Sequence, residues 1–411
     1  MNSNKGWYVT LAGTGINLAL GVLYSWSVIA KVLSLPVNQG GWGWSAQQAS
    51  LPYSVAVGVF AIMMVFAGRA QDKLGPRIVA SLGGALTGIG MIISGFAHAD
   101  SLWLMIVGFG VLAGSGIGLG YASATPAAVK WFHPSKKGLI TGIVVSGFGL
   151  ASIYIAPTTQ ALLDSFKVNN TFFILGGFFL VVTVLLSQML VNPPADYCLP
   201  EVATTAVKKN APVQGKREYD WHEMLKTPQF YLLWVMYALA SFAGLMIIGH
   251  MAKIAAAQLP GTELGFLLVA VLAIGNAGGR IIAGYMSDRL GRKTTMLIVF
   301  LFQAAMMLIL AQANTMLLLV IIATFIGFNY GANLTLFPSA TTDWFGTKNF
   351  GVNYGLVFTA WGVGGVFGAQ VAGRIVDATG SYNQAFLVAA GLLILAAGLT
   401  FLAKAPKEVA T

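Results

Sequence analysis

The chain alternates long apolar runs with short polar connections, and this pattern predicts its fold. A helix that crosses a bilayer needs about 20 predominantly apolar residues. Twelve runs of the sequence reach that length, so we expect an all-α membrane protein. The predicted helices cover approximately residues 7–32, 47–70, 78–97, 101–129, 138–163, 171–191, 228–252, 263–286, 294–312, 315–340, 351–376 and 383–403.

One long polar segment interrupts the pattern after the sixth run. It covers residues 192–227 and is rich in proline and lysine. We interpret it as a cytoplasmic linker between an N-terminal six-helix half, residues 1–191, and a C-terminal six-helix half, residues 228–411. A short helix is expected near its end, at Asp220–Leu225.

Composition supports a membrane protein and excludes several other classes. Hydrophobic residues make up 57% of the chain and charged residues 9%, whereas soluble domains carry about 25% charged residues. The net charge of +10 is spread over short loops, so nucleic-acid binding is not expected. Cys198 is the one cysteine, which excludes an intrachain disulfide and a cysteine-based metal site. The first apolar run is too long for a cleavable signal peptide.

The positive charges predict the orientation. If the N-terminus is cytoplasmic, the cytoplasmic segments contain 18 lysine and arginine residues and the opposite side contains 4. Positive residues are enriched in cytoplasmic loops, so we expect both termini in the cytoplasm.

Arg280 is the one charge in the middle of a predicted span, the run at 264–286. A charge at membrane depth costs at least ~2.5 kcal/mol and usually faces a cavity, a partner or a pathway. We interpret Arg280 as the receptor for a transported anion. The alternative is a structural arginine that pairs with a neighbouring helix.

Asn276 lies one helical turn before Arg280, on the same face, and its amide can donate a hydrogen bond to a bound anion. Tyr330 is a plausible second donor. Ordinary helix packing is the alternative for the remaining candidates: Val28, Val145 and Phe358 as an apolar wall, and Tyr121, Tyr24 and Trp361 as further lining residues.

Two predicted cytoplasmic loops, 216 residues apart, share the spacing G-x-x-x-D-[RK]-x-G-x-[RK]. This spacing resembles the signature loop of the major facilitator superfamily, which implies two pseudo-symmetric, parallel six-helix halves. The aspartates are expected to cap the following turn and to pair with the facing half, and the basic residues to hold the loop at the anionic membrane face. The residues of these predicted gate motifs are Gly68, Asp72, Lys73, Gly75 and Arg77, and Gly284, Asp288, Arg289, Gly291 and Arg292.

Further motifs narrow the resemblance. The runs Lys130–Pro134, Leu336–Ser339 and Asn353–Gly355 resemble the oxalate:formate antiporters, whereas Tyr24–Val28 and Asn276–Arg280 resemble the monocarboxylate transporters. Over its whole length the chain is similar to bacterial lactate transporters of the monocarboxylate type. This resemblance implies symport of a short monocarboxylate anion, such as lactate or pyruvate, with a proton across the bacterial inner membrane, without a cofactor.

The departures from these families bear on substrate and coupling. Trp361 stands where the oxalate-type antiporters carry a second cation, a lysine, and one cation suits a monoanion better than a dianion. Val28 and Asn276 stand where animal monocarboxylate transporters carry a lysine and an aspartate. The usual protonatable carboxylate is therefore absent, and His250 near the end of helix seven is the candidate for proton coupling. The alternative for His250 is an ordinary solvated histidine.

Three other functions compete with symport. An anion exchanger of the oxalate:formate type shares most of the motifs. A sensor built on a transporter fold would normally add a soluble domain. An enzyme is not expected, because the sequence shows no metal-ligand cluster and no Ser/His/Asp set at membrane depth. Besides the anion and the proton, the expected partner is the lipid bilayer.

Overall fold

The computed structural model describes residues 3–132, 137–194, 197, 218–261, 265–346 and 349–406, and all regular elements among them are helical. Two short 3₁₀ segments, Gly21–Ser25 and Thr400–Leu402, and a π-helical segment, Ile106–Ala113, continue neighbouring α-helices. A third 3₁₀ turn covers Val37–Gln39. The α-helices are α1 Ser3–Leu20, α2 Trp26–Ser34, α3 Ala46–Leu74, α4 Pro76–Ser94, α5 Leu102–Met105, α6 Gly114–Val129, α7 Lys137–Ser187, α8 Trp221–Leu225, α9 Pro228–Gln258, α10 Gly265–Leu290, α11 Arg292–Leu310, α12 Met316–Phe345, α13 Phe350–Thr379 and α14 Asn383–Leu399.

These helices form twelve membrane crossings, as predicted. Eleven helical runs in the described part of the chain are long and apolar enough to span a membrane. One of them, Ile140–Ser187 within α7, has 48 residues and would be ~70 Å long if straight, about twice a hydrocarbon core. Lys167, with φ of 62°, interrupts it. The fifth and sixth predicted helices are therefore one interrupted run.

The first and fourth crossings are less regular than the apolar pattern predicted. The 3₁₀ segment Gly21–Ser25 joins α1 to α2, where Gly21 lies so close to Ala151 of α7 that a side chain would overlap it. The π-helical segment Ile106–Ala113 joins α5 to α6, and Gly108 there packs against Gly90 of α4. Apolar periodicity predicts that a span exists, but these close backbone contacts decide its local hydrogen-bond register.

The two repeated loops share one backbone conformation. Gly75 has φ 82° and ψ 157°, and Gly291 has φ 85° and ψ 154°. Residues with a side chain rarely adopt this φ, which explains a glycine at the same place in both loops. Each glycine immediately precedes a helix, α4 in one half and α11 in the other.

Glycines bring α10 and α12 together in the C-terminal half. A methyl group at Gly275 or Gly279 of α10 would overlap the backbone of α12, and one at Gly327 or Gly331 of α12 would overlap the backbone of α10. Small residues permit this close helix packing in membranes. The pairing fixes the helix face that carries Asn276 and Arg280.

The two halves meet along α3 and α13, α7 and α10, and α2 and α9. At one end of the molecule, where α3 begins and α13 ends, Asp377 accepts hydrogen bonds from the backbone amides of Ala46 (2.8 Å) and Gln47 (2.9 Å). Lys253 of α9 also donates to Ser34 of α2 over 2.8 Å at this interface. We call this end of the molecule the Asp377 end. Polar contacts hold the two halves together there.

The end of the predicted linker docks on the C-terminal half. Asp220 and Glu223 form a capping box at α8, which confirms the short helix predicted there. The backbone N–H of Tyr219 donates to the carbonyl oxygen of Phe345 at the end of α12. Its carbonyl oxygen accepts hydrogen bonds from Asn349 and Asn353, both over 3.0 Å. Cys198 lies outside the described residues.

Candidate functional site

Arg280 lies at the centre of the interface between the halves and is 8% exposed. Its Nε donates to Oδ1 of Asn276 (3.0 Å), and its Nη1 donates to the carbonyl oxygen of Val145 on α7 (2.7 Å). Nη2 is buried and has no hydrogen-bond partner among the described residues. No described aspartate or glutamate forms an ion pair with this guanidinium. The site therefore holds a buried cation with a free donor.

The structure brings Asn276 and Tyr330 close to Arg280, and each makes a side-chain hydrogen bond there. Nδ2 of Asn276 donates to the hydroxyl of Tyr24 (3.1 Å), and Nε1 of Trp361 donates to the hydroxyl of Tyr330 (2.9 Å). The two hydroxyls and the guanidinium lie close enough to interact electrostatically. Residues from five crossings thus converge on one polar centre.

This polar centre has more donors than acceptors. The indole N–H, the amide NH₂, the guanidinium and two hydroxyls supply the donors. The acceptors that their hydrogen bonds use among the described residues are the two hydroxyl oxygens, Oδ1 of Asn276 and the carbonyl oxygen of Val145. After these bonds form, Nη2 of Arg280 still has its protons unused. An arginine fork is suited to carboxylates and phosphates, so the missing acceptor is best supplied by an anion.

Aromatic side chains surround the polar centre. Phe358 stacks on Trp361 with ring centroids 4.9 Å apart, and Tyr121 contacts Phe148 edge to face at 5.2 Å. Phe60 of α3 touches all four of these rings. Phe60 and Phe148 were not predicted, because nothing in their own helices distinguishes them from lipid-facing or core phenylalanines.

The two predicted aliphatic residues are placed differently. Val145 is partly buried and contributes its backbone carbonyl to Arg280. Val28 is 1% exposed and lies one turn after Tyr24 in the first crossing. Thr335 of α12, which sequence reasoning missed, donates to the backbone carbonyl of Arg280 over 3.1 Å and anchors the arginine's own turn.

His250 is buried, not solvated as the alternative interpretation supposed, and is 1% exposed. Its Nδ1 lies 3.0 Å from the hydroxyl of Tyr382, and its Nε2 lies 3.0 Å from the carbonyl oxygen of Ala369. Since a carbonyl only accepts, Nε2 carries a proton. Burial raises the pKa of Tyr382, so this hydroxyl stays protonated and can donate to Nδ1 of a neutral ring. Two charged side chains of opposite sign, Lys253 and Asp377, lie near enough to interact electrostatically with the imidazole.

The repeated loops differ from expectation in one contact. Asp288 pairs with Arg292 of its own half (2.7 Å), and Arg292 also bonds Asp343 of α12 (2.8 Å). The predicted contact of Asp288 with the facing half is therefore wrong for this conformation, because Arg292 lies one turn away and faces the same carboxylate. Arg289 lies over the Tyr285 ring at 4.5 Å. The side chain of Asp72 lies outside those that the structure describes.

The described residues contain no group of three or more His, Cys, Asp or Glu side chains that could hold a metal ion. The described side chains around Arg280 supply hydrogen-bond donors, hydrogen-bond acceptors and one positive charge.

Comparisons with known proteins identify the family. The model of the family "Major Facilitator Superfamily" matches residues 16–259 and 250–411. The chain belongs to the Major Facilitator Superfamily. Its relatives are transporters, so this member of the superfamily is a membrane transporter and not an enzyme.

Several curated relatives of this major facilitator protein cover most of its length. "Uncharacterized MFS-type transporter YhjX" of Escherichia coli (strain K12) is 30% identical over 374 residues, 89% of this chain and 87% of the relative. The "Oxalate:formate antiporter" of Oxalobacter formigenes is 28% identical, with 94% and 88% covered. "Monocarboxylate transporter 12" of Homo sapiens is 28% identical, with 82% and 69% covered.

A solved structure supports the major facilitator fold. The bacterial homologue of the human lysosomal transporter Spinster, in an inward-facing and occupied conformation, aligns with a TM-score of 0.67 over 96% of both chains, at 17% identity. At this identity the likeness shows the fold alone.

Proposed function

We propose that this protein is a secondary active transporter of short monocarboxylates, such as lactate or pyruvate, that works by alternating access. The observation that carries the proposal is the buried guanidinium of Arg280, which has a free Nη2 and no acidic partner among the described residues. A carboxylate bound there would neutralise the cation and accept the unused protons. Two relatives, an oxalate:formate antiporter and a monocarboxylate transporter, support the same substrate class.

The proposed size and charge limits follow from the surroundings of Arg280. Arg280 is the one cation among the described residues that form these hydrogen bonds. Trp361, which stands where the similar oxalate-type antiporters carry a lysine, donates to Tyr330. The rings of Phe148, Phe358 and Trp361 leave apolar surface for a short carbon tail. We expect a monocarboxylate of two to four carbons to bind, and a dicarboxylate to bind poorly because its second charge would enter an aromatic wall.

In the proposed cycle, the anion binds next to Arg280 and the two halves rock about it. Tyr24 and Val145 belong to the N-terminal half, whereas Arg280, Asn276 and Tyr330 belong to the C-terminal half. The bound anion would therefore contact both halves and could stabilise their approach. Contacts at the Asp377 end would break when the opposite end closes. We place both termini in the cytoplasm and the protein in the bacterial inner membrane, because of the 18 to 4 distribution of positive residues.

Proton symport is the proposed driving reaction, and His250 is the proposed proton site. If His250 were protonated, Nδ1–H could donate to the oxygen of Tyr382 while Nε2–H still donates to Ala369. Only a hydroxyl rotation would be needed to accommodate the proton. Exchange of anions is the second candidate function, favoured by the absence of a described carboxylate beside Arg280 and by the antiporter relative.

The central test is uptake of labelled lactate by proteoliposomes containing Arg280→Ala or Arg280→Lys. Removing one partner of a buried ion pair costs ~3–5 kcal/mol, which corresponds to a loss of affinity of about 100-fold or more. Lysine keeps the charge but cannot reach Asn276, Val145 and the anion together. Arg374→Lys, at an exposed arginine of α13, is the control and should transport normally.

Near-normal uptake by both Arg280 variants at equal reconstitution would refute the proposal. A competition panel with formate, lactate, pyruvate, oxalate and succinate, with and without a pH gradient, separates the two candidates. Strong competition by oxalate together with pH-independent counterflow would assign the protein to anion exchange.

A further inference from the structure

Gly149 of α7 forms the surface against which the guanidinium of Arg280 lies. A methyl group at Gly149 would be 3.3 Å from Nη2, 3.4 Å from Cζ and 3.7 Å from Nε of Arg280. Because these three distances are nearly equal, the methyl would sit over the flat face of the guanidinium and not at its hydrogen-bonding edge. An added methyl would therefore crowd Nη2, while its contacts with Cζ and Nε would be ordinary van der Waals contacts.

The same glycine leaves the carbonyl of Val145 accessible. In an α-helix the carbonyl of residue i accepts the N–H of residue i+4, and side chains tilt towards the helix N-terminus, over the preceding turn. A side chain at 149 would therefore lean towards the carbonyl of Val145. In the structure, that carbonyl also accepts Nη1 of Arg280 over 2.7 Å. Two positions one turn apart on α7 thus hold an arginine that belongs to the other half.

We propose that Gly149 is a positioning residue for anion binding, which fixes Arg280 so that only Nη2 faces the bound carboxylate. Nε and Nη1 are held by Asn276 and Val145, so the anion meets one nitrogen of the fork and takes its other hydrogen bonds from the neighbouring hydroxyls. This inference rests on the proposed function of Arg280. According to this inference, the affinity for substrate depends on Gly149, a residue of the N-terminal half that has no side-chain functional group.

The test compares Gly149→Ala with Gly142→Ala. Gly142 lies two turns earlier on α7, on nearly the same face, and has no neighbouring atom within 4 Å of an added methyl. Arg280 cannot retreat freely because both Nε and Nη1 are bonded. We expect Gly149→Ala to raise the KM for lactate about fivefold or more and to change kcat less than twofold, whereas Gly142→Ala changes neither.

A stability measurement separates positioning from general helix packing. Thermal unfolding is measured for Gly149→Ala in the wild-type and Arg280→Ala backgrounds, as a double-mutant cycle. The methyl should lower Tm beside the guanidinium and have no such effect once the guanidinium is gone. An unchanged KM in Gly149→Ala, or the same loss of Tm in both backgrounds, would overturn the inference.

The two proposals fail differently. If Arg280→Ala abolishes uptake while Gly149→Ala behaves as the wild type, only the positioning role is wrong. If the cycle shows the expected coupling but no carboxylate binds to the wild type, Gly149 still positions Arg280 and the proposed substrate class is wrong.

Discussion

Asn276 leaves the positive charge of Arg280 uncompensated and makes one hydrogen bond that a carboxylate could not make. Its Oδ1 accepts from Arg280 and its Nδ2 donates to Tyr24. An aspartate there would still accept from Arg280 but would neutralise it and could not donate to Tyr24. The neutral amide thus orients the guanidinium and keeps its charge available for the substrate.

Asn276→Asp tests this consequence. At neutral pH the new carboxylate should pair with Arg280 and reduce lactate uptake at least about tenfold, because a salt-bridged cation no longer attracts the anion. Acidification should restore part of the uptake by protonating the carboxyl group. The measurement is uptake against pH, with Asn276→Ala as the uncharged control. Full uptake by Asn276→Asp at neutral pH would show that the net charge of the site does not govern binding.

At the scale of single residues, the sequence could predict only what lies on one helix. The i, i+4 spacing places Asn276 and Arg280 together, and the structure has them hydrogen-bonded. Phe60, Phe148 and Gly149 come from α3 and α7, and their positions beside the site depend on how these helices pack against the other half. No local pattern contains that information.

Glycine contacts between α10 and α12 set the spacing of the helices on either side of the site. Gly279 precedes Arg280, and a methyl there would overlap the carbonyl of Phe328. Gly278 is adjacent in sequence, but an added methyl at that position meets no atom within 4 Å. Neighbouring glycines of one helix therefore have different structural roles.

Gly279→Ala should lower the stability of the purified protein by about 1–3 kcal/mol, because a backbone contact cannot relax as a side-chain contact does. Gly278→Ala should change stability by less than about 0.5 kcal/mol, or raise it slightly because alanine favours helix. Thermal unfolding in detergent compares the two. Equal Tm values for both variants would mean that α10 and α12 do not pack at Gly279 as described.

Helix existence was predictable at the scale of elements, whereas helix regularity was not. The apolar runs predicted all twelve crossings. The repeated motif was also visible in the sequence, and the structure adds that Gly75 and Gly291 share one backbone conformation. The 3₁₀ segment at Gly21–Ser25 and the π-helical segment at Ile106–Ala113 were missed. Both keep the apolar pattern of a continuous helix, because their irregularity arises from contacts with other helices.

In the whole molecule, described hydrogen bonds between the halves concentrate at the Asp377 end and around Arg280. Gln370 of α13 adds contacts to Ser50 (3.1 Å) and Ser54 (3.0 Å) of α3 near the Asp377 end. His250 lies in the same region, bonded to α13 through Ala369 and to Tyr382 just before α14. A proton there would alter charge close to a contact between the halves.

His250→Ala should therefore lose proton-driven accumulation of lactate but retain counterflow, because exchange does not require the proton to leave. Proteoliposomes with an imposed pH gradient and with preloaded substrate measure the two modes. His98→Ala, at an exposed histidine, is the control and should keep both. Normal accumulation by His250→Ala would exclude His250 as the proton site, and a wild type that ignores the gradient would exclude symport.

Arg280 has no acidic partner among the described residues, and this has an electrical consequence. An empty site carries one positive charge, whereas a site that holds a monocarboxylate is neutral. Moving an elementary charge across the whole membrane potential changes the free energy by ~2.3 kcal/mol per 100 mV, and a rocking carrier moves a fraction of that charge. The membrane potential would then change the rate at which the empty carrier returns. It would not change the rate at which one bound anion is exchanged for another. A proton bound together with the anion gives the loaded carrier the charge of the empty one, so that voltage acts on both movements.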